Sequence, residues 1–285
     1  MTPEDISAVF RKHWRKGFGS IAAGEVAFLQ DLIREQRPKS FVEIGTASGL
    51  SAGLIASIME ENGGERLITI DHDDTFFGDP SKPNGFLIKE VYQGTAIEVT
   101  KLPFKTALDV PVLGEMFDMA FVDANHQHPW TTIDTLCIVP FLRGENPILV
   151  HHDLLLYRKQ NVPFGIGPKI LFDQFPTNQR IVEPADEPNI FALRLGQDRG
   201  QIEKALIASF LMPWTLRTEI QPHFLAAIRS TIENHYSSNL LDAFDLGVKR
   251  YNESIVDVPQ QNGRDQQPTL LGRAVGRLRQ ALANT

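Results

Sequence analysis

The segment FVEIGTASGLSAGLIASIM, from Phe41 to Met59, restricts the fold of this chain more than any other part of the sequence. Val42 and Ile44 predict a buried strand of a parallel sheet, and the small residues after Gly49 predict a helix. Gly45 and Gly49 allow the backbone to approach a ligand without a Cβ atom in the way, and the start of the helix offers unpaired N–H groups. The segment therefore predicts a nucleotide-binding turn between a strand and a helix.

This turn begins with an acid and has the spacing E-x-G-x-x-x-G, from Glu43 to Gly49. Turns that hold a diphosphate usually carry more closely spaced glycines, whereas a leading acid suits a ligand with a cationic or hydroxyl-bearing end. About 22 residues after Gly49, the apolar strand LITID ends in Asp71. An acid at this place in a doubly wound sheet accepts hydrogen bonds from a ribose diol. Together, the turn and Asp71 predict a nucleoside-binding site.

From about Gly19 to Leu195, the chain resembles the class I S-adenosylmethionine-dependent methyltransferases. EIGTASG is similar to the first motif of that family, and Asp71 matches the acid that holds the cofactor ribose. In the third-strand region, Val91 to Pro103, the resemblance places Thr95 and Ala96 beside the adenine. The S-adenosylmethionine-binding residues that it implies are Glu43, Gly45, Thr46, Gly49, Asp71, Thr95, Ala96 and Asp123.

Two more segments extend the resemblance to the fourth and fifth strands. They are FDMAFVDANHQHPW, residues 117–130, and ILVHHD, residues 148–153. Their sequences are similar to those of the O-methyltransferases that act on sugars and antibiotic intermediates. This branch includes the cephalosporin-hydroxylase-like and macrolide-sugar methyltransferases. The resemblance therefore implies methyl transfer to a hydroxyl of a sugar, a glycan or a glycosylated metabolite.

The expected fold is α/β, a Rossmann-like seven-stranded methyltransferase sheet with helices on both faces and a helical C-terminal extension. Strand patterns at 40–44, 67–71, 90–93, 118–123 and 147–152 alternate with helical patterns, which is typical of a parallel sheet. Arg180–Pro184 and Asn189–Leu195 are expected to form its antiparallel closing pair. The expected regions are a helical lead (1–38), the cofactor-binding domain (39–198), a helical extension (199–257), and a linker with a basic amphipathic helix (258–285).

The chemistry is expected where the fourth and fifth strands end, because ligands of open parallel sheets bind beyond the carboxyl edge. Four of the eight histidines lie there, beside two aspartates. A neutral alcohol is a poor nucleophile, so the site must remove its proton or lower its pKa, through a general base or a bound divalent ion. The resemblance implies His126 as the general base and Asp123 as a second catalytic residue. The implied metal ligands are Asp123, His152 and Asp153.

The identity of the ion and the roles of the other histidines stay open at this point. Carboxylates completed by water suit Mg²⁺, which is the expected ion, whereas an imidazole ligand favours a softer one. His152 has two alternatives to metal binding, which are to orient Asp153 or to face the core. His151, one residue earlier along the strand, is expected on the opposite face, and His128 is expected as a solvated loop residue.

Composition excludes several classes of protein. With 35 acidic and 28 basic residues, the formal charge is −7, which disfavours a nucleic-acid partner. Cys137 is the only cysteine and falls in an apolar helical pattern, so we expect a core thiol in a reducing, cytoplasmic compartment. The charged N-terminus does not resemble a signal sequence, and no apolar run reaches the ~20 residues of a membrane span.

Three functions stay open on the sequence alone. The first is the O-methyltransferase. The second is a metal-dependent hydrolase or oxygenase, which would leave the Glu43–Gly49 turn and Asp71 without a role. The third is a noncatalytic methyltransferase-fold subunit of a glycan-assembly complex. The basic helix in 258–285 has two interpretations, docking on this chain or on a second copy in a homo-oligomer, or reversible attachment to an anionic membrane surface or a partner enzyme.

Overall fold

The computed structural model describes residues 3–15, 21–159, 162–196, 198–216 and 219–256. A seven-stranded sheet has the spatial order β3-β2-β1-β4-β5-β7-β6. The first five strands in this order are parallel, and β7 is antiparallel to both β5 and β6. The predicted Rossmann-like sheet with an antiparallel closing pair is therefore confirmed. The strands are β1 (Ser40–Ile44), β2 (Arg66–Asp71), β3 (Glu98–Pro103), β4 (Met119–Val122), β5 (Ile148–His151), β6 (Arg180–Val182) and β7 (Phe191–Arg194).

Helices pack on both faces of this sheet because successive strand residues point to opposite sides. Phe41 and Phe121 belong to one apolar cluster and Val42 and Val122 to a second. The helices are α1 (Pro3–His13), α2 (Ala23–Gln36), α3 (Leu50–Glu61), α4 (Ile88–Val91), α5 (Val110–Leu113), α6 (Trp130–Ile138), α7 (Leu156–Lys159), α8 (Val162–Gly165), α9 (Gly167–Gln174), α10 (Arg199–Phe210), α11 (Pro222–His235) and α12 (Ser238–Val256).

The expected strand at 90–93 is wrong. Residues Ile88–Val91 form α4, whose Val91 packs against Gly53 of α3, and a Cβ atom on that glycine would lie 2.6 Å from the Cβ of Val91. An apolar run as short as Val91–Tyr92 does not distinguish a strand from a buried helix. The third strand is β3, a half-buried edge strand. Its mixed apolar and polar residues do not give the apolar pattern of a buried strand.

The chain divides into two units, and most of the second lies outside the described residues. By contacts, residues 1–249 form one unit and residues 250–285 a second, of which the structure describes only the end of α12. The expected linker and basic helix at 258–285 lie outside the described residues. In the part of the chain that the structure describes, no helix is both long and apolar enough to cross a membrane.

Candidate active site

The turn after β1 requires glycine at two positions. Gly45 has a φ of +103°, and a Cβ atom there would lie 2.0 Å from the carbonyl oxygen of Asp123. Gly49 has a φ of +82°, and its Cβ atom would lie 2.6 Å from a side-chain carbon of Ile88. Only glycine combines this backbone conformation with so little space. The turn is therefore packed, backbone to backbone, against the end of β4, where Asp123 lies.

Glu43 is completely buried beneath this turn. The hydroxyl of Ser51 donates to its Oε1 at 2.6 Å, and the hydroxyl of Thr69 donates to its Oε2 at 2.5 Å. Burial raises the pKa of Glu43 to about 8, although the two hydroxyls act in the opposite direction. In this geometry Glu43 joins the turn to α3 and β2, and does not present an exposed charge to a ligand.

Asp71 fastens the same turn from β2. Its Oδ2 accepts the backbone N–H groups of Thr46 at 2.9 Å and Ala47 at 3.0 Å, and its Oδ1 lies 3.3 Å from Nδ1 of His72. Burial alone would raise the pKa of Asp71, but the hydrogen bonds from His72 and the backbone outweigh it and lower the pKa. The structure thus brings Asp71, Thr46 and both glycines together at the carboxyl edge of the sheet.

Thr95 and Ala96 lie elsewhere. Both precede β3, whereas the glycine turn follows β1, so the two residues are at the amino edge of a parallel sheet. The N–H of Ala96 donates to Glu60 of α3 at 3.0 Å. The prediction that they lie beside an adenine at the carboxyl edge is wrong, because it depended on the incorrect strand at 90–93.

A cluster of two aspartates and two histidines occupies the ends of β4 and β5. Nε2 of His126 lies 3.2 Å from Asp123 Oδ1 and 3.3 Å from Asp153 Oδ2. Nδ1 of His152 lies 3.2 Å from Asp123 Oδ1 and 3.6 Å from Asp153 Oδ1. One ligand atom each from Asp123, His152 and Asp153 lies within 4.8 Å of the others. The three expected metal ligands therefore converge, with His126 against two of them.

The charges of this cluster depend on one another. Burial alone would raise the pKa of Asp123, but His152 and His126 outweigh it and hold the pKa well below its usual range. Burial acts to lower the pKa values of the two histidines, but the hydrogen bonds and negative charge of Asp123 prevail and raise both. Asp153 adopts a left-handed backbone conformation, with a φ of +60°, which costs an aspartate about 1–3 kcal/mol. Strain of this kind is concentrated at functional sites.

Two residues of the cluster were not predicted. Glu25 of α2 is buried and its Oε2 lies 3.0 Å from Nε2 of His152. The side-chain amide of Asn189, just before β7, donates to Glu25 at 3.1 Å and to Asp153 at 3.0 Å. A signal for Glu25 was available, because it shares the helical spacing of the buried Phe28 and Leu29 and so places a carboxylate on an apolar face. Nothing comparable marks Asn189.

The remaining histidines of the region are structural. His128 is completely buried, so the expectation of a solvated loop residue is wrong. Its backbone N–H donates to the Thr215 hydroxyl at 3.1 Å, and burial lowers the pKa of the His128 side chain to about 4. His151 faces away from His152, as predicted, and its ring contacts the Thr135 hydroxyl at 3.1 Å. Cys137 is also buried, as expected.

One family model matches the chain. Residues 42–154, which include the glycine turn, Asp71 and the cluster, match a model described as a methyltransferase domain. No curated protein matches the chain.

Three solved structures with similar folds are distant from this chain in sequence. The O-methyltransferase TomG from Streptomyces achromogenes, with S-adenosylmethionine bound, is 18% identical, with a TM-score of 0.46 over 68% of this chain and 89% of its own. An O-methyltransferase from Bacillus cereus in complex with S-adenosylhomocysteine is 17% identical, with a TM-score of 0.44 over 67% and 90%. The S-adenosylhomocysteine-bound methyltransferase PaMTH1 from Podospora anserina is 16% identical, with a TM-score of 0.45 over 69% and 88%.

Proposed function

We propose that this chain, in which residues 42–154 match a methyltransferase-domain model, transfers a methyl group from S-adenosylmethionine to a hydroxyl of a sugar, a glycan or a glycosylated metabolite. One observation carries the proposal. The Gly45 backbone is packed directly against Asp123, so the turn that would bind the cofactor and the acid–histidine cluster are adjacent. A hydrolase or oxygenase that used the cluster alone would not need this turn. The choice of a sugar hydroxyl depends on the resemblance of residues 117–130 and 148–153 to sugar O-methyltransferases.

The cofactor would lie along the carboxyl edge, above the glycine turn and Asp71. The turn after β3 replaces Thr95 and Ala96 as the candidate for the adenine, because the N–H of Lys105 donates to the Asp71 carbonyl at 2.9 Å. Phe104, 67% exposed in this turn, offers an aromatic face to a base. When bound, S-adenosylmethionine supplies the electrophilic methyl group.

The cluster fits a divalent cation. Two carboxylates and one imidazole converge on one volume, and the left-handed backbone at Asp153 holds its carboxylate there. When bound, such an ion lowers the pKa of a coordinated hydroxyl and stabilises the alkoxide. Mg²⁺ is the expected ion if Asp123 and Asp153 bind it with water, whereas ligation by His152 favours Mn²⁺ or another first-row ion.

His126 is the proposed base. Its Nε2 is held by Asp123 and Asp153, which fixes the ring at the place where an acceptor hydroxyl would lose its proton. The same two carboxylates raise the pKa of His126, so it accepts a proton more readily, but it is neutral less often. A metal-free reaction is the second candidate. In that version His126 takes the hydroxyl proton, and Asp123 and Asp153, at 3.2 and 3.3 Å from its Nε2, stabilise the imidazolium that forms.

The direct test is calorimetry of the full chain with S-adenosylmethionine and S-adenosylhomocysteine, each with and without Mg²⁺ or Mn²⁺. We expect both nucleosides to bind, and methyl transfer to follow with a hydroxylated sugar acceptor. Failure of the full chain to bind either nucleoside would contradict the methyltransferase proposal. Binding without turnover across a panel of acceptors would support a noncatalytic subunit instead.

A further inference from the structure

Glu25 is the one carboxylate of α2 that reaches the acid–histidine cluster, although it belongs to the helical lead and not to the residues matched as a methyltransferase domain. It is only 5% exposed. Its Oε2 also accepts the N–H of Ala22, the residue before α2, which fixes the side chain at the start of this helix. A buried carboxylate in this position is costly unless it has several partners.

Glu25 contacts one expected metal ligand, His152, directly, and it reaches a second, Asp153, through the side-chain amide of Asn189. Nε2 of His152 lies 3.0 Å from Glu25 Oε2, in an ion-pair contact without the alignment of a hydrogen bond, and Nδ1 of the same ring faces Asp123 and Asp153. Asn189 donates from one amide nitrogen to Glu25 Oε1 and to Asp153 Oδ1. One side chain thus contacts the far side of His152 and the amide that holds Asp153.

We propose that Glu25 is a positioning residue of the metal site, which holds Nε2 of His152 and, through Asn189, the carboxylate of Asp153, so that Nδ1 and that carboxylate face the ion. Both ring nitrogens of His152 face carboxylates, which only accept hydrogen bonds, so an ion on the Nδ1 side would leave the proton on Nε2, beside Glu25, and the lone pair on Nδ1. Partners of this kind fix the tautomer and orientation of metal-binding histidines. The inference rests on the metal in the proposed function.

The test uses the full chain and measures the affinity for Mn²⁺ alone by calorimetry. Glu25→Gln preserves the size of the side chain but replaces an acceptor oxygen with a donor nitrogen that faces the His152 N–H. Loss of such a partner typically lowers metal affinity about 10- to 100-fold, and we expect that range here. Asp31→Asn is the matched control, because Asp31 is exposed on the same helix, and it should leave the affinity within about twofold.

A second variant guards against a general effect on folding. Asn189→Ala removes the amide that contacts Asp153, Glu25 and the Leu155 N–H but leaves Glu25 beside His152, and we expect a smaller loss of about 3- to 10-fold. A Co²⁺ absorption spectrum that changes in Glu25→Gln, with unchanged affinity for S-adenosylmethionine in the absence of metal, would show that the ligand geometry has altered. Equal Mn²⁺ affinity in the parent and both variants overturns the positioning role alone. A parent that binds S-adenosylmethionine but not Mn²⁺, Mg²⁺ or Co²⁺ overturns this inference and the metal, and leaves the methyltransferase proposal in place.

Discussion

Glu43, on β1, and Asp123, just after β4, lie at the carboxyl ends of neighbouring strands, but their surroundings shift their pKa values in opposite directions. Glu43 meets hydroxyls from Ser51 and Thr69, and the nearby negative charges of Asp123 and Asp71 reinforce the effect of burial, which raises its pKa to about 8. Asp123 meets His126 and His152, which outweigh burial and lower its pKa. One half of the candidate site therefore holds a neutral acid that fastens a turn, and the other holds an ionised acid among histidines.

At one edge of the sheet, the glycine turn therefore has a structural role, and the acid–histidine cluster has the proposed chemical role. In the turn half, backbone N–H groups that follow β1 donate to the Ile70 carbonyl and to the Asp71 carboxylate of β2. In the cluster half, side chains from α2, β4, β5 and the segment before β7 meet. Changes in the turn should therefore act on stability and cofactor binding, and changes in the cluster on metal binding and turnover.

The largest effect is expected for His126→Ala. Loss of a general base typically lowers kcat by ~10²- to 10⁴-fold, and S-adenosylmethionine affinity should change little because the proposed role of His126 concerns the acceptor hydroxyl and not the cofactor. Steady-state kinetics and calorimetry on the same preparation measure both. His223→Ala, at an exposed histidine of α11, is the control. A fall in cofactor affinity equal to the fall in kcat would contradict the division of labour between the two halves.

Removal of metal tests whether the cluster acts through a divalent ion. If the cluster acts through a divalent ion, an excess of chelator should abolish turnover, and added Mn²⁺ or Mg²⁺ should restore it, with Mn²⁺ restoring activity at the lower concentration if His152 is a ligand. Asp123→Asn and Asp153→Asn should weaken this dependence while the cofactor still binds. Full activity in chelator would rule out the ion and leave His126 as the metal-free base.

Gly45→Ala tests the structural half. The added Cβ atom would lie 2.0 Å from the Asp123 carbonyl oxygen at a φ of +103°, so we expect a loss of about 2–5 kcal/mol in the free energy of unfolding. Urea denaturation measures this loss. Gly114→Ala is a matched control, since Gly114 also has a positive φ, +68°, but has open space where a Cβ would be, and should lose only about 1–2 kcal/mol. Equal losses would mean that the contact with Asp123 is unimportant.

Asp71→Ala should have a smaller effect on binding. If Asp71 accepts two ribose hydroxyls, as the proposed function requires, its removal costs about 1.5–3 kcal/mol, which corresponds to a roughly 10- to 150-fold weaker affinity for S-adenosylmethionine. Because Asp71 also holds the N–H groups of Thr46 and Ala47, the folded fraction of the variant has to be checked by circular dichroism. Mn²⁺ affinity should not change. Parent-like cofactor affinity in a folded variant would place the nucleoside site elsewhere.

The two halves also differ in how much the sequence could predict. The glycine turn and Asp71 are close in sequence and their requirements are local, so a strand, two glycines and an acid were sufficient. The positions of Asp123, His126, His152 and Asp153 followed from the rule that parallel strands end at one edge. Glu25 and Asn189 join the cluster only through tertiary packing, and Thr95 and Ala96 were misplaced because Ile88–Val91 form a helix where a strand was expected.

The last expected effect, that of Glu43→Gln, is a dependence on pH. A buried acid whose folded pKa is raised contributes stability that is fully present below its unfolded pKa, near 4.5, and is lost as pH rises towards its folded pKa of about 8. Glutamine resembles the neutral acid and does not titrate, and its amide can still pair with Ser51 and Thr69. The variant should match the parent near pH 4.5 and become more stable than the parent by at least about 1 kcal/mol at pH 8, since one unit of pKa shift corresponds to about 1.4 kcal/mol. Urea denaturation across this pH range measures the difference, with Glu98→Gln, at an exposed glutamate of β3, as the control. A parent that stays as stable as the variant up to pH 8 would show that Glu43 is ionised in the folded protein, and that the opposition between it and Asp123 does not exist.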